Sequence, residues 1–269
     1  MSANIFIVPH DFTSVGDAAL KYALFLAQPR KTSIELLHIV SSKEKKHQAE
    51  ESLQKIINNL DLEVGGSSVV PLVKVGSIFD DISKIAKTKE ARLIIMGTHG
   101  AKGMQKLFGS YAMKVVINSS VPFLVIQDAV DFTQIKRITI PITTSKESLQ
   151  IINVAGEIAR TFGAEVDVIA EHQSDKRLSQ QLRIRISLVK KQFEEKNVVA
   201  KVDIIDEKMA FHHAVINYAK KTNSDMIALA YHNDGLFASL EKYTQTLITN
   251  EENIPCLVVN AKLLSKLYY

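Results

Sequence analysis

Apolar residues along the chain fall into short unbroken runs, separated by longer stretches in which they recur every three or four positions. Runs apolar on both sides are strands of a parallel sheet covered on both faces, and the stretches between them are crossover helices. In the first half the pattern predicts strands over Ile5–Pro9, Ile34–Val40, Val69–Val75, Leu93–Gly97 and Val121–Ile126. The first helix is announced by Ser14-Val15-Gly16-Asp17, a sequence like a capping box, followed by Leu20, Leu24 and Ala27 at helical spacing. Leu53, Ile56, Ile57 and Leu60 mark a second helix and Ile78, Ile82, Ile85 and Ala86 a third, each stripe covering one sheet face.

The second half repeats the first. Ile7-Val8-Pro9 answers to Thr139-Ile140-Pro141 and Ile34-Glu35-Leu36-Leu37 to Val166-Asp167-Val168-Ile169, both at an offset of 132 (141 − 9). The register then slips by one: Asp80–Ala86 align with His213–Ala219, and Val121-Pro122-Phe123 with Ile254-Pro255-Cys256, at 133 (255 − 122). A period this long means tandem domains. The expected domains are residues 1–128 and 135–269, joined by an aperiodic linker at Asp128–Thr133. The tail Ala261–Tyr269 carries Leu263, Leu264 and Leu267, which suit docking on the domain or on a partner.

Composition narrows the class. The chain has 269 residues, 46% hydrophobic and 23% charged, which excludes disordered, collagen-like and coiled-coil readings. Its formal charge of +4 is spread without long like-charge blocks. The densest basic stretch, Lys43-Glu44-Lys45-Lys46, lacks interleaved aromatics and reads as a solvated helix face, so no nucleic-acid partner is expected. The single cysteine, Cys256, lies in an apolar run and is expected as a buried thiol, without disulfide or cysteine-held zinc. Met1-Ser2-Ala3-Asn4 offers no basic n-region, and no apolar run approaches the ~20 residues of a membrane span, so a cytoplasmic protein is expected.

In an open parallel sheet, ligands bind beyond the carboxyl ends of the strands where strand order reverses. The two richest loops fall there: Pro9-His10-Asp11-Phe12-Thr13-Ser14 after strand one, and Gly97-Thr98-His99-Gly100-Ala101-Lys102-Gly103 after strand four. Glycines at 97 and 100 permit positive φ and close backbone approach, and Ser110, after Gly109, is a candidate N-cap whose helix supplies free N–H groups to a phosphate. Asp11 is placed to take a ribose hydroxyl or bridge through Mg²⁺. A Walker loop is absent, and the glycine loop follows strand four, whereas the dinucleotide fingerprint follows strand one.

These residues resemble the universal stress protein family, whose signature is G-x2-G-x9-G-[ST] after strand four with a Pro-x-Asp loop after strand one. Here it stands as Gly97-Thr98-His99-Gly100, eight residues instead of nine, then Gly109-Ser110, with Pro9-His10-Asp11 as partner loop and Leu37-His38-Ile39 matching the strand-two ending. The resemblance implies an α/β fold of two tandem doubly wound, Rossmann-like, five-stranded parallel sheets of order 3-2-1-4-5, and it implies ATP binding, with or without Mg²⁺. Carried over by position, Asp11 meets the ribose or its metal, Ile39 and Met96 line the adenine pocket, Gly97, His99, Gly100, Gly109 and Ser110 hold phosphates, and Pro9 and His10 shape the floor. Pairing through fifth strands is also implied, so a homodimer or an intrachain pseudo-dimer is expected.

The second half loses the signature: Asp11 becomes Thr143, Gly97 becomes Ala230, Gly100 becomes Asn233, Gly109 becomes Lys242 and Ser110 becomes Tyr243. One nucleotide per chain, in the first half, is therefore expected. His172, His212, His213 and His232 do not form a zinc set by spacing, because adjacent helical residues point about 100° apart. The leading function is a nucleotide-binding stress or regulatory module with an unidentified protein partner. Behind it stand an ATPase or nucleotidyl-transfer enzyme using His10 or His99, and a nucleotide-free scaffold. The titratable groups near the glycine loop, His10, Asp11, His99 and Lys102, include no second carboxylate to activate water.

Overall fold

The computed structural model describes residues 4–60, 67–98, 113–127, 134–232 and 238–261. The chain divides into two compact units, Met1–Val130 and Asp131–Tyr269. The first contains β1 (Ile5–Pro9), α1 (Ser14–Ala27), β2 (Ser33–Val40), α2 (Lys46–Asn58), β3 (Val69–Val75), α3 (Ile78–Thr88), β4 (Leu93–Thr98), α4 (helical over residues 113–117) and β5 (Phe123–Gln127). Its strands are parallel in the order β3-β2-β1-β4-β5. Right-handed crossovers running outward and then back put α1 and α2 on one face and α3 and α4 on the other. The Ser83 hydroxyl of α3 accordingly donates to the Val115 carbonyl of α4 at 3.2 Å.

The second unit contains β6 (Arg137–Ile142), α5 (Ile151–Phe162), β7 (Glu165–Glu171), α6 (Lys176–Glu195), β8 (Ala200–Ile205), α7 (Phe211–Lys221), β9 (Met226–Tyr231), α8 (Ala238–Ile248) and β10 (Cys256–Asn260). Its order is β10-β9-β6-β7-β8, the same 3-2-1-4-5 winding. The fold implied by the motifs is thus present in both units. The repeat is visible down to backbone conformation: Lys31 (φ 48°) and Gly163 (φ 67°) both close the first helix region in the left-handed region, as do Glu90 (φ 52°) and Asn223 (φ 52°) before the fourth strands. The offset is less simple than a single slip. It is 131 at the third strands (200 − 69) and 133 at the third helices (211 − 78), because α6 is longer than α2 and the following loop differs.

Central strands are buried throughout, whereas β3 and β8, each paired on one side in its unit, show exposed positions. Pro71 is tolerated in β3 because an edge strand needs no N–H there. The fifth strand begins at Phe123, two residues later than its apolar run, since Pro122 has no N–H and contributes only a carbonyl, bonded by Ile94 N–H at 2.9 Å. Of the predicted stripes, Leu53, Ile57, Ile82 and Ala86 are buried, whereas Ile78 is exposed. The linker Asp128–Thr133 and tail residues 262–269 lie outside the described residues.

One local expectation fails. The N-cap of α1 is Thr13, not Ser14, and it makes no side-chain cap bond. Both side chains of the supposed capping box region are drawn elsewhere: the Thr13 hydroxyl donates to Asp11 Oδ1, and Asp17 pairs with His10.

Each unit also keeps an acid near the start of its second strand. Glu35 takes a 2.7 Å ion pair from Lys89, and the equivalent Asp167, 2% exposed, takes one at 2.9 Å from Arg137. A buried carboxylate needs such a partner. Asp167 in turn holds the Arg137 guanidinium above its ordinary pKa.

Cys256 is a free thiol, fully buried in β10. Burial pushes its pKa well above the usual thiol range, which suppresses the reactive thiolate. We expect Cys256 to alkylate at least about tenfold more slowly in native protein than in denaturant, read by mass spectrometry after iodoacetamide quenching; equal rates would mean the β10 core opens freely.

Candidate functional site

A cavity of about 350 Å³ opens at the carboxyl ends of β1, β2 and β4. Its wall is Pro9, His10 and Asp11 from the end of β1 and its loop, Val15 and Gly16 from α1, Leu37, His38 and Ile39 from β2, Ile78 and Ile82 from α3, and Met96 and Gly97 from β4. It is a mostly apolar crevice with a few convergent polar groups, the usual make-up of a small-molecule site.

Gly97 positions the whole arrangement. A Cβ there would lie 2.1 Å from the Val15 carbonyl oxygen and 2.5 Å from its carbonyl carbon, so only glycine lets α1 enter this close to β4. Its role is close approach and not left-handed backbone: Gly97 lies within β4 and is not among the positive-φ residues. Gly16, one residue on, leaves room for the His10 ring, which a Cβ would meet at 3.1 Å.

His10 is buried and fully engaged. Its N–H donates to the Leu37 carbonyl at 2.8 Å, carrying the β1–β2 ladder past the strand end. Phe12 N–H donates to His10 Nδ1 at 3.0 Å, so Nδ1 is an acceptor and the ring proton sits on Nε2, facing Asp17 Oδ1 at 3.1 Å. Both ring nitrogens are therefore occupied. Asp11 is exposed; its Oδ1 accepts from Thr13 N–H at 3.1 Å and from the Thr13 hydroxyl, and Oδ2 takes no hydrogen bond among the described residues. His38, half-buried, donates from Nδ1 to the His10 carbonyl at 2.7 Å. Phe12, at φ 64°, lays its ring on His38 with centroids 4.4 Å apart.

Of the residues named from the sequence, Pro9, His10, Asp11, Ile39, Met96 and Gly97 line this cavity. His99, Gly100, Gly109 and Ser110 lie outside the described residues, as do Lys102 and Asn233. Sequence reading missed Val15, Gly16, Leu37, His38, Ile78 and Ile82 as wall. Ile78 and Ile82 were assigned to a core stripe; the 47% exposure of Ile78 at the helix start distinguishes it from the buried members.

The equivalent region of the second unit is built differently. Ala230 stands at the Gly97 position, and the segment answering to the start of α1, Lys146–Gln150, winds as a tight 3₁₀ helix before α5 begins. Ser145 caps that turn, accepting from Glu147 N–H at 3.3 Å, and its N–H reaches the Thr143 hydroxyl at 3.2 Å. Lys242 and Tyr243, at the Gly109 and Ser110 positions, are the fifth and sixth residues of α8 (242 − 238 and 243 − 238, counted from one), where backbone N–H groups are taken by the helix. Tyr243 stacks on Phe211 with centroids 6.3 Å apart and meets His212 edge-on at 5.9 Å. Its hydroxyl is buried without a hydrogen-bond partner, and burial raises its pKa above the phenol range.

The histidines also need one revision. His212 and His213, despite adjacent helical positions, bring their rings to 4.3 Å. Burial, with His213 and Lys242 behind it, holds His212 below the ordinary imidazole range. Among the described residues no group of three or more His, Cys, Asp or Glu is disposed to hold a metal ion, and no helix is long and apolar enough to cross a membrane.

Residues 3–127 match the family model described as the universal stress protein family. Universal stress protein MJ0577 of Methanocaldococcus jannaschii is 26% identical over 150 residues, covering 45% of this chain and 93% of that protein. A universal stress protein from Archaeoglobus fulgidus DSM 4304 superposes with a TM-score of 0.77 at 18% identity, over 97% of this chain and 100% of that one. Protein PA1789 of Pseudomonas aeruginosa PAO1, described as functionally unknown, superposes at 0.69 and 16% identity, over 99% and 96%. At these identities the solved structures attest the fold of both halves.

The contact at Gly97 yields a direct test. Gly97→Ala should cost about 1–3 kcal/mol or more of stability through backbone overlap with Val15, measured by urea unfolding. An unchanged midpoint would mean that α1 is not seated on β4 as described.

Proposed function

We propose that this chain, which belongs to the universal stress protein family, binds an adenine nucleotide, ATP by preference, in the crevice of its first unit only and acts as a regulatory module. The observation that carries the reading is the cavity at the switch point, where Pro9, His10, Asp11, Ile39, Met96 and Gly97 converge. Its apolar wall of Leu37, Ile39, Ile82 and Met96 suits a flat, poorly hydrated base. Asp11, at the exposed rim with Oδ2 unengaged, suits a ribose hydroxyl.

Magnesium enters with the triphosphate. A lone carboxylate at the rim fits a cation already held by phosphates and keeping its waters, and it is too few ligands for an all-protein site. Asp11 is the residue that would face it. The phosphates themselves are assigned to Gly97, His99, Gly100, Gly109 and Ser110 on the motif.

Restriction to the first unit is supported by the helical backbone at Lys242 and Tyr243 and by the Phe211–Tyr243 stack. A regulatory role is favoured over turnover because the cavity wall has one carboxylate, Asp11, tied to Thr13, while both ring nitrogens of His10 are committed to Phe12 and Asp17. Neither is free to activate water.

Calorimetric titration of the full chain with MgATP should give one site per chain. Gly109→Lys, which copies the second unit into the first, should abolish binding while leaving the circular dichroism spectrum intact. Two sites would overturn the restriction to the first unit; absence of binding by the unmodified chain would overturn the nucleotide reading and leave a nucleotide-free scaffold.

A further inference from the structure

The polar atoms of the cavity wall can be sorted into those already satisfied and those left over. His10 contributes none: Nδ1 accepts from Phe12 N–H and Nε2 faces Asp17. Asp11 leaves Oδ2, an acceptor at the rim. His38 leaves one ring nitrogen, and its character follows from the other. The His10 carbonyl can only accept, so the 2.7 Å bond fixes the proton on His38 Nδ1, and in the neutral ring Nε2 is a bare acceptor. No described residue hydrogen-bonds it. The wall around it is Leu37, Ile39, Ile78, Ile82 and Met96, which offer no side-chain donor.

The ring is also held unusually firmly. Phe12 packs on it from a backbone at φ 64°, a conformation that costs a non-glycine residue about 1 kcal/mol or more and persists only where the surroundings enforce it. Here the enforcement is the Phe12 N–H bond to His10 Nδ1 and the Asp11–Thr13 turn on either side. The strained residue thus backs a half-buried imidazole that lines the cavity.

We propose that His38 is a specificity-determining residue of the cavity, whose Nε2 accepts a hydrogen bond from an N–H donor on the edge of the bound base. It selects a 6-amino purine over its 6-oxo counterpart, which presents a carbonyl at that position and leaves two acceptors facing each other. Phe12 is the positioning residue for the ring. The inference rests on the nucleotide reading above and adds the chemical class of base that the site prefers.

The test compares MgATP with MgITP, which differ at that 6-substituent and at the ring nitrogen beside it, by calorimetry at about pH 8, where an ordinary imidazole is neutral. The unmodified chain should bind MgATP at least about tenfold more tightly, since a mismatched buried acceptor leaves a polar pair unsatisfied. His38→Asn keeps a donor near the Nδ1 position for the His10 carbonyl but lacks the second nitrogen. It should bring the ratio to within about threefold of unity by weakening MgATP while MgITP binding stays level. His38→Phe, which retains a ring against Phe12, should behave alike if folded, and thermal melts of both variants report folding.

Equal binding of the two nucleotides by the unmodified chain, or full discrimination retained in His38→Asn, overturns the role of His38 and leaves the nucleotide reading standing. Binding of neither nucleotide by the unmodified chain overturns both.

Discussion

The first unit depends on a single close approach. With no side chain at Gly97, the first turn of α1 settles directly against the end of β4, its Val15 carbonyl where a Cβ would otherwise stand. From that seat Asp17 reaches back to the His10 ring, and His10 in turn bonds Leu37 through its main chain and Phe12 through its ring. The loop after β1 is thereby tied to α1, to β2 and to itself before any ligand arrives. Preorganisation of this kind reduces the ordering cost that binding would otherwise carry.

The second unit shows the same scaffold without that approach. One methyl group separates Ala230 from Gly97, and the chain facing Ala230 starts as a 3₁₀ turn capped by Ser145 instead of an α-helix packed close on the strand. The consequences spread through the loop. Asp11, His10 and Asp17 have no counterparts of the same chemistry in Thr143, Ile142 and Leu149, and aromatic rings at Phe211 and Tyr243 pack together where the first unit keeps an open wall at Ile78. Sheet order and left-handed turns at Gly163 and Asn223 are retained, so the fold tolerates loss of the crevice chemistry. Fold stability resides in the buried strands and the paired acids Glu35 and Asp167, well away from the loops that diverge.

The strands and their winding were legible in the sequence because buried parallel strands are apolar on both faces, a signal that survives without tertiary information. Ile5–Pro9 and Val69–Val75 have the same bounds in pattern and structure. Side-chain commitments were not legible. Ser14 and Asp17 have capping-box spacing, yet Asp17 is claimed by a histidine seven positions earlier, a partner that only the folded loop brings near. Gly97 was recognised as special for two reasons, and the structure supports close approach over positive φ, a distinction that requires the Val15 backbone to be in place. His38 sat inside a strand and gave no chemical signal, because its importance comes from a carbonyl and a phenyl ring supplied by the preceding loop.

What the loop leaves unsatisfied is as informative as what it ties down. Every donor that the described loop directs inward already has a partner: Phe12 N–H, Thr13 N–H and the His38 Nδ1 proton are all used within the protein. The side-chain atoms left over in the wall, Asp11 Oδ2 and His38 Nε2, are both acceptors, one at the exposed rim and one on a half-buried ring. A ligand that satisfies this surface must bring donors at both places and an apolar plane between them. A sugar hydroxyl and an amino-bearing base meet that requirement together, whereas a bare phosphate or a dicarboxylate would add like-charged acceptors to acceptors and be disfavoured at this end of the crevice.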